Sequence, residues 1–80
     1  MNLPEKIEIL IITLSDRAFS GEYDDLSGPV IRQMLSGYFS SQGWNAVIEQ
    51  MLIPDDSVIL REKLTEAAKK FNIIITTGTI

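Results

Sequence analysis

Three stretches of the 80-residue chain are dense in apolar residues, and polar segments separate them. Residues 7–14 are apolar almost without interruption, which predicts a strand that is covered on both faces of a sheet. Residues 73–77 predict a second strand of this kind. Residues 44–53 alternate only imperfectly between apolar and polar side chains, so they predict a half-exposed strand nearer the edge of the sheet.

Helical periodicity follows in the two segments between these strands. The first helix is predicted to begin at Ser27, a candidate N-cap, with Pro29 in its first turn. The second is predicted to begin at Asp55 or Asp56 as N-cap and to end near Asn72 as C-cap. The apolar stripe expected on the first helix comprises Val30, Ile31, Met34, Leu35 and Tyr38. The inner face expected on the second comprises Val58, Arg61, Leu64, Ala68 and Phe71, with Arg61 contributing its aliphatic stem.

The order strand, helix, strand, helix, strand predicts an α/β fold with an open parallel sheet between two helical layers. The two most apolar strands are expected to be neighbours, which gives the strand order 2-1-3. Right-handed crossovers then place the helices on opposite faces and create a topological switch point between the first and third strands. Residues 15–17, residues 76–78 and Asp55 all lie at the carboxyl ends of strands on that edge, so we expect a ligand crevice there.

Each polar cluster by itself also fits a structural role. Residues 15–17 fit an Asx turn with a surface ion pair, and Asp24 and Asp25 fit solvated loop charges. Asp55 and Asp56 fit helix caps, and residues 77–79 fit a simple turn. The convergence of the clusters favours a site, as does the unusually long predicted loop over residues 15–26.

The amino-acid composition limits the partners and the catalytic groups that the chain can have. Residues of hydrophobic type make up 45% of the chain and charged ones 22%, which is typical of a globular domain rather than a disordered chain. Seven basic against eleven acidic residues give a net charge of −4, so nothing favours nucleic acid as a partner. The chain has no cysteine and no histidine, which excludes disulfides, thiol nucleophiles, histidine triads and the usual zinc sites. Carboxylates, hydroxyls, backbone amides or a hard metal must carry any catalysis.

No targeting segment is recognisable in the sequence. Residues 1–6 do not resemble a signal peptide, and no stretch approaches the length of a membrane span, so we expect no membrane association and a cytoplasmic location.

Four successive motifs resemble those of the molybdenum cofactor biosynthesis domain found in the MogA/MoaB-like family of molybdopterin adenylyltransferases. They occupy residues 11–17, 23–29, 53–56 and 73–78. The resemblance covers nearly all of residues 7–78 and implies a molybdopterin-binding-like, three-layer α-β-α fold. The family domain is longer, so residues 1–80 are expected to form the amino-terminal half of a single domain.

The resemblance implies transfer of AMP from ATP to the terminal phosphate of molybdopterin, with Mg²⁺, in a homotrimeric protein. It makes Asp55 the catalytic aspartate and a magnesium ligand. An ion pair between Arg17 and Asp24 or Asp25 remains an alternative to phosphate binding by Arg17. The substrate-binding residues it implies are Ser15, Asp16, Arg17, Asp25, Ser27 and Gly28. The phosphate-binding residues it implies are Thr76, Thr77 and Gly78.

The sequence departs from the family pattern after Gly78. The family continues with a second glycine, a Thr-Gly pair and an Arg-Asp-x-Thr stretch that supplies a second essential aspartate, whereas Thr79 and Ile80 follow here. We therefore expect that these 80 residues alone do not catalyse adenylylation. Two alternatives stay open: a non-catalytic molybdopterin-binding or assembly module, as in competence-damage-inducible proteins, and a nonfunctional α/β fragment. The triplet at residues 15–17 speaks against the first alternative.

Overall fold

The computed structural model describes residues 6–22, 24 and 27–78. All five predicted elements are present, and a single helical turn follows the first strand in addition. The strands begin and end within one residue of the predicted bounds. In chain order the elements are β1 (Lys6–Leu14), α1 (Asp16–Phe19), α2 (Ser27–Ser41), β2 (Asn45–Ile53), α3 (Ser57–Ala67) and β3 (Ile73–Gly78).

The three strands form a parallel sheet in the order β2-β1-β3, which confirms the predicted fold class and strand order. Leu14 pairs with Ile53 on one side and Gly78 on the other, so the carboxyl ends of all three strands are level. The backbone N–H of Ser15 donates to the carbonyl of Ile53 over 3.0 Å and extends the ladder by one residue. The polar residues that follow the strands are therefore brought to one edge of the sheet.

The core has two halves, one on each face of β1. Ile7, Ile9 and Ile11 face α2 and contact Phe39, whereas Leu10 and Ile12 face α3. Burying one such side chain stabilises the fold by about 1.5–3 kcal/mol relative to leaving it exposed. The helices thus cover opposite faces of the sheet, as the crossover rule predicted.

The third strand is less covered than predicted. Ile73 is 38% exposed, and Ile74 and Ile75 are only partly buried. The reason is position rather than composition, since β1 is the central strand and β3 lies at the edge of the three-stranded sheet.

The prediction for the inner face of α2 was partly wrong. Ile31 and Leu35 do pack on the sheet, but Val30, Met34 and Tyr38 are 54%, 70% and 59% exposed. Phe39 occupies the core instead, where its ring stacks on Trp44 at a centroid distance of 5.7 Å. Residues 30, 34 and 38 are themselves spaced at helical intervals, so periodicity alone does not distinguish the two neighbouring stripes.

The prediction for α3 needs a similar correction. Leu64 and Phe71 pack on the sheet, together with Ile59, Leu60 and Ala67. Val58, Arg61 and Ala68 are exposed instead. The helix begins at Ser57 and ends at Ala67, so the face that meets β1 is rotated relative to the predicted one.

Asn72 is not the C-cap of α3, since Ala68 occupies that position. Asn72 instead joins the start of β3 to β1. Its backbone N–H donates to the carbonyl of Glu8 over 2.8 Å, and its Oδ1 accepts from the Glu8 N–H over 2.8 Å. One residue therefore satisfies both backbone groups of Glu8 just before the regular β1–β3 pairing begins.

None of the helices in the described part of the chain is long and apolar enough to cross a membrane.

Candidate functional site

The end of β1 leads directly into the one-turn helix α1. Ser15 is its N-cap, with an extended backbone and a side-chain Oγ that accepts from the N–H of Ala18 over 3.2 Å. The residue is only 4% exposed. Its side chain thus supports the turn from within, and the substrate contact that the resemblance implied stays a prediction.

Asp16 reaches from α1 to the connection between β2 and α3. Its Oδ1 accepts from the backbone N–H of Asp55 over 2.9 Å, although the two residues are 39 positions apart in sequence. A purely local Asx turn does not describe this contact. The sequence pattern predicted that residues 16 and 55 lie at the same edge of the sheet, but it did not predict a hydrogen bond between them.

Pro54, Asp55 and Asp56 form the short corner between β2 and α3. Asp56 is the N-cap of α3, and its Oδ1 accepts from the N–H groups of Val58 and Ile59 over 2.8 and 3.2 Å. The carboxylate of Asp55 is exposed and forms no hydrogen bond or ion pair within the described part of the chain. The cap therefore falls to Asp56, which leaves the side chain of Asp55 available to a ligand.

Arg17 is exposed on α1 and directly follows Asp16, whose side chain bonds to this corner. Its carbonyl accepts from Ser20 Oγ over 3.0 Å and from the Glu22 N–H over 2.9 Å, which closes the turn after the helix. Among the described residues Arg17 forms no ion pair with Asp24. Asp25 lies outside the described residues, so its predicted role stays a prediction.

Ser27 and Gly28 are the first two residues of α2. Ser27 is half-buried and Gly28 buried, and both have contacts within the fold. A helix amino terminus carries N–H groups without intrahelical partners, which suits a phosphate. The placement is compatible with the predicted anion contact, which itself stays a prediction.

The last three residues of β3 are Thr76, Thr77 and Gly78, and Gly78 pairs with Leu14. A Cβ built on Gly78 would lie 3.8 Å from the carbonyl oxygen of Leu14, an ordinary contact distance. Packing against β1 therefore does not by itself require a glycine here. The residues stand at the same edge as Asp16 and Asp55, as the topology predicted.

Few side chains at this edge could serve as metal ligands. Among the described residues no group of three or more carboxylates is placed to hold a metal ion. Magnesium is usually held by one or two carboxylates together with substrate phosphates and water. An exposed carboxylate such as that of Asp55 suits an ion that is shared with a phosphate ligand.

Comparison with known proteins identifies a family that covers most of the chain. The model of the family described as "Probable molybdopterin binding domain" matches residues 10–80. Molybdopterin adenylyltransferase from Escherichia coli K12 is 30% identical over 74 residues, which are 90% of this chain and 36% of that protein. The molybdopterin adenylyltransferase of Pyrococcus furiosus is 32% identical over 76 residues, 94% of this chain and 41% of that protein.

A longer relative matches the same region. The Drosophila melanogaster protein named molybdenum cofactor synthesis protein cinnamon is 28% identical over 76 residues, 92% of this chain and 12% of the relative. The chain thus spans well under half the length of the curated relatives described here. No solved structure matches it.

Proposed function

We propose that this chain, which belongs to the probable molybdopterin binding domain family, acts in molybdenum cofactor biosynthesis as a molybdopterin adenylyltransferase. The names of the relatives from Escherichia coli and Pyrococcus furiosus support this activity. The proposed substrates are molybdopterin and ATP, the proposed metal is Mg²⁺, and the proposed assembly is a cytoplasmic homotrimer.

In the proposed reaction, an oxygen of the terminal phosphate of molybdopterin attacks the α-phosphorus of ATP. A new P–O bond forms, the bond from the α-phosphorus to the bridging oxygen of the β-phosphate breaks, and pyrophosphate leaves with that electron pair. Both reactants are anions, so the protein must mainly orient them and offset their charge. Bound Mg²⁺ would supply positive charge next to the phosphate oxygens.

The roles we propose follow the positions at the sheet edge. Asp55 holds the metal, Arg17 offsets phosphate charge, and Gly28 contacts the substrate at the start of α2. The remaining residues proposed to contact substrate or phosphate are Ser15, Asp25, Ser27, Thr76, Thr77 and Gly78. Thr79 stands where the family has its second glycine, and we propose that the 80 residues alone transfer no AMP.

The proposal rests on the different roles of two adjacent aspartates. Asp56 caps α3, whereas the carboxylate of Asp55 has no partner in the described part of the chain. A free carboxylate that is fixed at the ligand-binding edge of a parallel sheet is suited to an ion shared with a phosphate.

The same pair provides a matched test in the intact protein that contains this chain. Asp55→Asn and Asp56→Asn each remove one negative charge, and asparagine caps a helix about as well as aspartate. We expect Asp55→Asn to slow AMP transfer by about 10²-fold or more, and Asp56→Asn to change it by less than about threefold. Transfer of ³²P-labelled AMP measures the rates, and circular dichroism checks the fold.

Unchanged transfer by Asp55→Asn would remove Asp55 from the mechanism. Equal losses in the two variants would point to the total charge of the corner instead of a specific role. A wild-type protein that binds molybdopterin and transfers no AMP would be a binding module, the alternative function.

A further inference from the structure

We infer that Asp16 is a positioning residue for Asp55: by accepting the backbone N–H of Asp55, it fixes the direction in which the Asp55 carboxylate leaves the corner. The contact is the 2.9 Å hydrogen bond between the Asp55 nitrogen and Asp16 Oδ1. This inference rests on the proposed function, because it assumes that the position of the Asp55 carboxylate matters for the reaction.

The corner needs such a contact at one place only. The carbonyl of Ile53 accepts from the Ser15 N–H, and the N–H of Asp56 donates to the carbonyl of Pro54 over 2.8 Å. Asp55 lies two residues after the end of β2 and directly before the cap of α3, so neither element gives its N–H a partner. The carboxylate of Asp16 fills that gap from a different segment of the chain.

Asp16 is itself well fixed. It is the first residue of α1, and its carbonyl accepts from the Ser20 N–H over 2.9 Å. The buried Ser15 before it and the buried Ala18 after it anchor the turn to the rest of the fold. A bond from a residue fixed in this way restrains Asp55 more than a bond from a mobile loop does.

The proposed role depends on a hydrogen-bond acceptor and not on a negative charge. Asparagine keeps an acceptor oxygen at the position of Oδ1, whereas alanine removes it. If Asp16 instead bound the metal or the substrate directly, loss of its charge in Asp16→Asn would be as damaging as loss of the whole side chain. The two substitutions therefore separate positioning from direct contact.

The test uses the intact protein with Asp16→Ala, Asp16→Asn and, as a control, Glu22→Ala, which removes another exposed acidic side chain from the same connection. Asp16 is exposed, so all three variants are expected to fold. We expect Asp16→Ala to lower kcat about tenfold or more, since small displacements of reacting groups are costly. The KM values for ATP and molybdopterin should change by less than about twofold, since the inference replaces the substrate contact that the resemblance implied for Asp16 with a contact to Asp55. Asp16→Asn and Glu22→Ala should stay within about threefold of the wild-type kcat, because both leave an acceptor for Asp55.

A second measurement does not depend on activity. Hydrogen exchange of the Asp55 amide, followed by NMR, should become about tenfold faster in Asp16→Ala and stay near the wild-type rate in Asp16→Asn. An unchanged exchange rate and kcat in Asp16→Ala would overturn the inference. A loss of kcat in Asp16→Asn equal to that in Asp16→Ala, with the amide still protected, would overturn it in favour of direct contact. Full activity of Asp55→Asn together with faster exchange in Asp16→Ala would support the contact and refute the role of Asp55.

Discussion

The two connections that leave the carboxyl edge of the sheet differ in length and in what they do. The connection after β2 has only Pro54, Asp55 and Asp56, and it directs Asp56 to its own helix while leaving the Asp55 side chain free. The connection between β1 and α2 is much longer, contains α1, and sends Asp16 across to the short corner. The short corner leaves the Asp55 carboxylate exposed, and the longer neighbouring loop supplies the acceptor that the Asp55 N–H lacks within the corner.

Among the variants that test this comparison, Ser15→Ala is expected to have the largest effect on the free energy of unfolding. Ser15→Ala removes the N-cap of α1 and leaves the N–H of the buried Ala18 without that acceptor. We expect a loss of about 1–2 kcal/mol in the free energy of unfolding, measured with urea on the intact protein. Ser20→Ala, the same substitution in the same loop, removes only an exposed bond to the Arg17 carbonyl and should cost less than about 0.5 kcal/mol. Equal costs for the two variants would contradict the role of Ser15 as the buried anchor.

Asp56→Ala addresses the short corner. It removes the two bonds to the first N–H groups of α3 and should lower the unfolding free energy by about 1 kcal/mol. Asp56→Asn should recover most of that loss, since it keeps the capping oxygen. Thermal or urea unfolding of both variants measures the difference, and a stable Asp56→Ala would show that α3 does not depend on its cap.

Small effects of opposite sign are expected at two glycines. Gly21, in the long connection, has φ +86, so Gly21→Ala should destabilise the protein by about 1 kcal/mol although nothing lies within 4 Å of the added Cβ. Gly37, within α2, also has open space around it, and Gly37→Ala should stabilise by about 0.5–1 kcal/mol because alanine favours the helix. A lower unfolding midpoint for Gly21→Ala and a higher one for Gly37→Ala, both relative to the wild type, would confirm that the loop backbone requires glycine at position 21. A stabilising Gly21→Ala would contradict it.

The strands and their order were predictable because burial of β1 on both faces leaves a clear sequence pattern. The rotation of α2 was not, since Met34 and Leu35 are adjacent apolar residues on neighbouring stripes and only one faces the sheet. The choice depends on Phe39, whose ring stacks on Trp44 after the helix has ended. Such a contact between separate elements has no periodicity that a sequence pattern can reveal.

The candidate site was predictable at the level of the edge and not of the individual bonds. Parallel strands with level ends bring residues 15–17, 55 and 76–78 together whatever the details of the loops. The assignment of the cap to Asp56 depends on a helix boundary, and a shift of a single residue would have exchanged the roles of Asp55 and Asp56. The bond from Asp16 to Asp55 depends on one side-chain conformation in a loop, which the sequence pattern does not determine.

Asn72 gives β3 a defined mechanical response. Its two bonds to Glu8 lie beside the first rungs of the parallel β1–β3 ladder. A force that pulls β3 along its own axis loads these bonds and the ladder together in shear, so they must yield together instead of opening one after another. The strand that ends in Thr76, Thr77 and Gly78 is thereby held against sliding at the end opposite to the candidate site.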